Sequence, residues 1–104
     1  MPLQFDLVEN LNLDGRRQYP FLLILQHDRV SSMAGAVVAP LVQATPALAG
    51  SRLHPQVVVA GRSYFVFIED LAAIPKSTLG RVVGSAEPNR YEIVAALDLL
   101  FTGI

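Results

Sequence analysis

The chain has 104 residues, 52% of them hydrophobic and 16% charged, with a formal net charge of −1 and no cysteine. This is the size of a single domain, here 1–104, too apolar for disorder, and it excludes disulfides, thiolate metal sites and cysteine nucleophiles. With no run of basic residues there is no electrostatic footprint for nucleic-acid binding without a partner, and the apolar excess points to surface covered by another chain.

The opening "MPLQFDLVEN" lacks the basic-then-apolar order of a signal peptide. The longest aliphatic-aromatic run, Phe21 to Leu25, falls far short of the ~18 residues of a membrane span. A cytoplasmic protein without membrane contact is expected. Within "LQFDLVE" (3–9), Leu3, Phe5 and Leu7 alternate with Gln4, Asp6 and Val8, the period of a half-buried strand. "NLNLDGRRQYP" (10–20) reads as an exposed connection. The continuous apolar run "FLLILQ" (21–26) predicts a strand buried on both faces.

"AVVAPLVQ" (36–43) is a further strand, with Pro40 pointing to an edge or a bulge because proline donates nothing to the ladder. "ATPALAGSR" (44–52) is turn-like. "QVVVAGRSYFVFIED" (56–70) predicts a hairpin around Ala60-Gly61-Arg62. "LAAIPKSTLGRVVGS" (71–85) holds a short crossing and a strand near Leu79–Val83.

The last segment changes period. Asn89 with Glu92 predicts a capping box, and Ile93, Leu97, Leu100 and Phe101 form one helical stripe. Tyr91, Ala95, Asp98 and Thr102 lie on the opposite face, and Gly103 sits where a left-handed cap belongs. The expectation is five or six strands closed by one C-terminal helix, mainly β with an α+β character.

Little in this pattern carries catalysis. His27 and His54 have no partner at metal-ligand spacing, and no metal site or cofactor is expected. His27 beside Asp28 reads as a polar pair closing a strand rather than an oriented base. Ser31, Ser32, Ser63 and Ser77 lie in no G-x-S-x-G context. "GRVVG" (80–84) lacks the Lys-Ser/Thr of a phosphate loop. Arg16-Arg17 reads as loop decoration, with phosphate contact the lesser reading. The terminus "ALDLLFTGI" (96–104) stands apart, because final residues are loose unless something holds them. A carboxylate on Ile104 at the negative end of the helix dipole is disfavoured, nothing cationic follows Glu92 within the helix, and a partner's Arg or Lys would offset it.

The chain resembles the CcdB family, the toxin half of a toxin–antitoxin pair. The resemblance runs through "QF" (4–5), "QHD" (26–28), "VVAPL" (37–41), "LHPQVVVAG" (53–61), "EDLAAIP" (69–75) and "AALDLLFTGI" (95–104). It implies an SH3-like small barrel of the CcdB/MazF type, a C-terminal helix and a symmetric homodimer. It also implies a non-enzyme that binds the DNA gyrase A subunit and traps the gyrase–DNA cleavage complex. A cognate antitoxin with a disordered segment releases the toxin, and the pair regulates its own transcription. Carried onto this sequence, the gyrase contacts are Thr102, Gly103 and Ile104 with Asp98 and Phe101 behind them. Arg29 and Val30 match a site linked to antitoxin and target.

Two departures stand out. The best-known members carry a Trp, stacking on a gyrase arginine, where this chain has Thr102, and an apolar residue where it has Arg29. The alternatives are a MazF-like endoribonuclease on the same fold, drawing on Arg16-Arg17, and a homologue without gyrase binding that serves as an antitoxin-binding regulatory partner.

Overall fold

A computed structural model describes residues 2–12, 14–15, 17–30, 34–48 and 50–104. Among them are seven strands: β1 (Asp6–Asn10), β2 (Phe21–Ile24), β3 (Gly35–Gln43), β4 (Gln56–Val59), β5 (Arg62–Val66), β6 (Ala72–Pro75) and β7 (Leu79–Ser85). One helix follows, α1 (Arg90–Thr102). The strands pair antiparallel in the order β4-β5-β3-β2-β1-β7, with β6 also on β3, which makes a half-barrel. This is the mainly β architecture with a C-terminal helix that the sequence predicts, with one strand more.

Alternation along β1, β2 and β3 builds two apolar layers. Leu7, Leu23, Ala39 and Leu41 face the larger core together with Val57, Val66, Ile68, Ile93 and Ala96. Val8, Leu22, Ile24, Ala36 and Val38 face the other way and meet Ile74 and Leu79. A strand with core on both sides reads as a continuous apolar run, which is why "FLLI" shows no alternation.

Several expectations are corrected. The first strand begins at Asp6, because Phe5 takes a left-handed backbone (φ 68°) and turns the chain before pairing starts. Phe5 is nonetheless buried, its N–H on Ile24 O (2.8 Å) and its carbonyl receiving Ala86 N–H (2.7 Å). Leu3 is exposed, and Val8 is as buried as Leu7, so the half-buried alternation over 3–9 does not hold.

Pro40 lies neither on an edge nor at a bulge: it pairs with Leu22 on one side. Its carbonyl accepts Phe67 N–H (2.9 Å) on the other. The N and O of a strand residue face the same way, so the missing N–H points into the interval where β6 ends, opposite Val38, and β5 begins, opposite Leu41. Phe67 O, the acceptor it would face, takes Asp70 N–H instead (3.1 Å). The segment read as a short crossing holds β6, four residues with little burial and therefore a weak pattern.

The β4–β5 hairpin stands as predicted. Ala60 and Gly61 both have positive φ (51° and 79°), the two-residue turn whose twist matches the flanking strands.

α1 follows a 3-10 turn at Glu87–Asn89 that carries Pro88. Asn89 has φ −101°, ψ 16°, outside the extended region a capping residue needs, and makes no capping bond. Its amide donates to Gln56 O instead (3.1 Å), tying the helix start to β4, so the Asn89–Glu92 capping box does not form. At the far end Gly103 is left-handed (φ 76°) and its N–H reaches Leu99 O, as the sequence predicts. Among the described residues no helix is long and apolar enough to cross a membrane.

Candidate functional site

α1 buries Ile93 and Ala96, half-buries Leu97 and Leu100, and packs on the 3-10 turn Ile68–Asp70. At 3.6 residues per turn, Phe101 lies just past the edge of that stripe. It is 69% exposed, so the expected four-residue apolar stripe loses its last member to solvent. Beside it on the surface stand Val94 (42% exposed), Asp98 and Tyr91 (83% exposed). Spacing of i, i+3, i+7 and i+10 from Tyr91 puts all four on one strip. Sequence reasoning missed Val94 as surface, although this spacing was there to be read.

The strip runs into the tip. Thr102 Oγ1 donates to Asp98 O (2.6 Å), Gly103 closes the helix, and Ile104 is 85% exposed. Asp98, Phe101, Thr102, Gly103 and Ile104 therefore share one end of α1, all exposed. The Asp98 carboxylate makes no ion pair among the described residues.

A cation does meet this end of the helix, from within the chain. Arg52 Nη2 lies 3.4 Å from Ile104 O and donates to it across 52 positions of sequence. A positive group there is favoured by the helix dipole. The expectation that a partner's Arg or Lys would offset this end is thereby corrected in part, because the chain brings its own cation, and no pattern within α1 could reveal a side chain arriving from residue 52.

Arg29 and Val30 stand on a different element, the 3-10 turn Asp28–Val30 between β2 and β3. Both are exposed. The "QHD" triplet ahead of them is their scaffold. Gln26 Oε1 accepts Val37 N–H (2.9 Å) while its amide donates to Val30 O (3.4 Å). His27 Nδ1 accepts Arg29 N–H (3.0 Å), and Asp28 Oδ1 accepts Gln4 N–H (2.8 Å). His27 and Asp28 thus each hold backbone, the polar-pair reading rather than a base and its orienter. No hydrogen bond or ion pair joins this turn to the tip among the described residues.

The remaining candidates are dispersed. Ser31, Ser32 and Arg16 lie outside the described residues. Arg17 borders a cleft of about 430 Å³ with Glu9, Asn10, Leu11, Pro20 and Phe21. Glu9 is shared with a neighbouring cleft at Arg81, whose guanidinium is 3.7 Å from that carboxylate. Among the described residues no Ser or Thr lines either cleft. His54, the second histidine, bonds Glu69 Oε2 through Nε2 (2.7 Å) and stacks on Phe67 at 4.1 Å. No group of three or more His, Asp or Glu arranged to hold a metal ion occurs among the described residues.

Several solved structures share the fold. A toxin of Mtb superposes with a TM-score of 0.72 at 19% identity, covering 91% of this chain and 99% of that one. An endoribonuclease in complex with its cognate antitoxin, from a mycobacterial species, gives 0.73 at 18% identity, with 96% and 94% covered. The Mycobacterium tuberculosis toxin MazF-mt6 gives 0.71 at 21% identity, with 90% and 94% covered. Comparison with curated proteins gives no match. At these identities the likeness is one of fold. Sequence goes further: the family model for the CcdB protein matches residues 4–103, all seven strands and all of α1, and the chain belongs to the CcdB family of toxins in toxin–antitoxin systems.

Proposed function

We propose that this toxin acts by binding, without catalysis, on the A subunit of DNA gyrase, and that it traps the gyrase–DNA cleavage complex. Asp98, Phe101, Thr102, Gly103 and Ile104 make the contact, and the exposed Arg29 and Val30 contribute to recognition of antitoxin and target. The toxin works in the cytoplasm as a homodimer, is released by its cognate antitoxin, and takes part with it in autoregulation of transcription.

One observation carries this reading. Phe101 and Ile104 hold large apolar side chains in solvent, 69% and 85% exposed, at the end of a helix whose inner face is fixed in the core. Burying such groups is what an interface gains from, at about 25 cal/mol per Å² of apolar surface, and aromatic anchors dominate interface energetics.

The test is a cleavage-complex assay with supercoiled plasmid, ATP, gyrase and the toxin, followed by detergent and protease. Linear DNA is expected, and it should vanish with Gly103→Arg and with deletion of 102–104 while folding and dimerisation persist. Linear DNA that survives both variants would overturn the assignment of the tip. Its complete absence with the unaltered, folded protein would favour a homologue that only binds antitoxin. RNA cleavage that is lost in Arg17→Ala would establish the endoribonuclease instead, although no Ser or Thr among the described residues lines the Arg17 cleft.

A further inference from the structure

Arg52 joins the tip to the body of the fold, and its own footing is firm. It sits on a narrow turn in which His54 N–H donates to Ser51 O (3.0 Å) and Leu53 N–H donates to Ser51 Oγ (3.2 Å). That turn is fastened to β5 and the residues after it. Val66 N–H donates to Pro55 O (2.8 Å), the His54 ring stacks on Phe67 at 4.1 Å, and Nε2 bonds Glu69 at 2.7 Å.

α1 rests on the same 3-10 turn, Ile68–Asp70. Both ends of the Arg52–Ile104 contact therefore stand on one frame. The tip has little else to order it: a Cβ on Gly103 would meet nothing within 4 Å, and Ile104 is 85% exposed. Beyond the Gly103 N–H bond to Leu99 O, the Arg52 guanidinium is the one hydrogen-bonded restraint on the final two residues among those described.

We propose that Arg52 is a positioning residue which holds Gly103 and Ile104 in the conformation the target binds. This rests on the reading of the tip as the gyrase contact. Ordering a free backbone opposes association, and the apparent Kd rises as the inverse of the fraction of molecules in the competent conformation. Arg52 keeps that fraction high from within the same chain.

The experiment compares the unaltered protein with Arg52→Ala and Arg52→Lys by ¹⁵N heteronuclear NOE and by calorimetric titration against the gyrase A subunit. Arg52→Ala should lower the NOE at Gly103 and Ile104, leave the melting temperature unchanged, and raise the Kd about 3- to 10-fold. Arg52→Lys should restore part of both, since lysine keeps the charge but not the fork. An Arg52→Ala variant whose NOE is unchanged, or which binds gyrase as tightly or more tightly, would overturn the proposal. If the unaltered protein fails to bind gyrase, the functional reading falls, while the NOE still decides whether Arg52 orders the tip.

Discussion

Thr102 is turned back on its own helix: its hydroxyl donates to Asp98 O at 2.6 Å, one turn earlier. The proton of the hydroxyl is committed to that bond, while the oxygen still has lone pairs to offer an incoming guanidinium. Thr102 can therefore accept a hydrogen bond from an arginine but offers no ring for it to stack on. The position is exposed, so a larger side chain displaces nothing from the core. Thr102→Trp should tighten binding to the gyrase A subunit about 10- to 100-fold, because a cation–π contact contributes ~0.5–2 kcal/mol and indole burial adds to it. Calorimetric titration of both proteins measures this directly. Equal or weaker binding by the Trp variant would show that residue 102 does not face an arginine of the target.

How much of this fold the sequence reveals depends on whether the deciding interaction is local. The β4–β5 hairpin was legible because its turn chemistry lies within two residues, Ala60 and Gly61. The end of α1 was legible because Gly103 marks it. Pro40 was misread because its place in a central strand depends on which neighbours flank it, Val38 opposite Ala72 and Leu41 opposite Val66, and neither pairing is encoded nearby. Asn89 was misread because Gln56 O, 33 positions away, takes its amide. At the candidate site the same division holds. Asp98 to Ile104 follow from one helix, whereas Arg52 and the His54–Glu69 pair become visible only when distant segments meet.

Gly80 illustrates a glycine retained for space rather than for a turn. It lies in β7 where the pairing with β1 slips between Val8 and Asn10, a bulge that draws the two backbones together. A Cβ there would lie 2.8 Å from Glu9 Cβ, 3.0 Å from Leu11 Cδ2 and 3.1 Å from Glu9 O. Backbone cannot yield as a side-chain tip can, so β1 and β7 must separate. Gly80→Ala should destabilise the fold by about 1–3 kcal/mol, the range for overpacking a closely fitted contact. Gly84→Ala, whose Cβ would meet Leu7 Cδ1 at an ordinary 3.6 Å, should cost clearly less. Urea denaturation of the two variants compares them, and equal midpoints would mean the bulge relaxes freely.

Ile93 and Phe101 stand at opposite extremes of burial along α1. Ile93 is fully buried in the larger core, whereas Phe101, two turns on, is 69% exposed. Removing the Ile93 side chain leaves a cavity beneath the helix, and Ile93→Ala should cost about 2–5 kcal/mol of stability. Phe101→Ala takes away a group that folding hardly uses, so stability should stay within about 0.5 kcal/mol. Its effect should appear in binding, with a loss of roughly tenfold or more if the ring is an interface anchor. Denaturation and gyrase titration on both variants give four values. The proposed site requires that the two substitutions exchange their effects. A Phe101→Ala protein that unfolds early and binds normally would make this ring a structural element, and the surface strip from Tyr91 to Ile104 would lose its claim to the target.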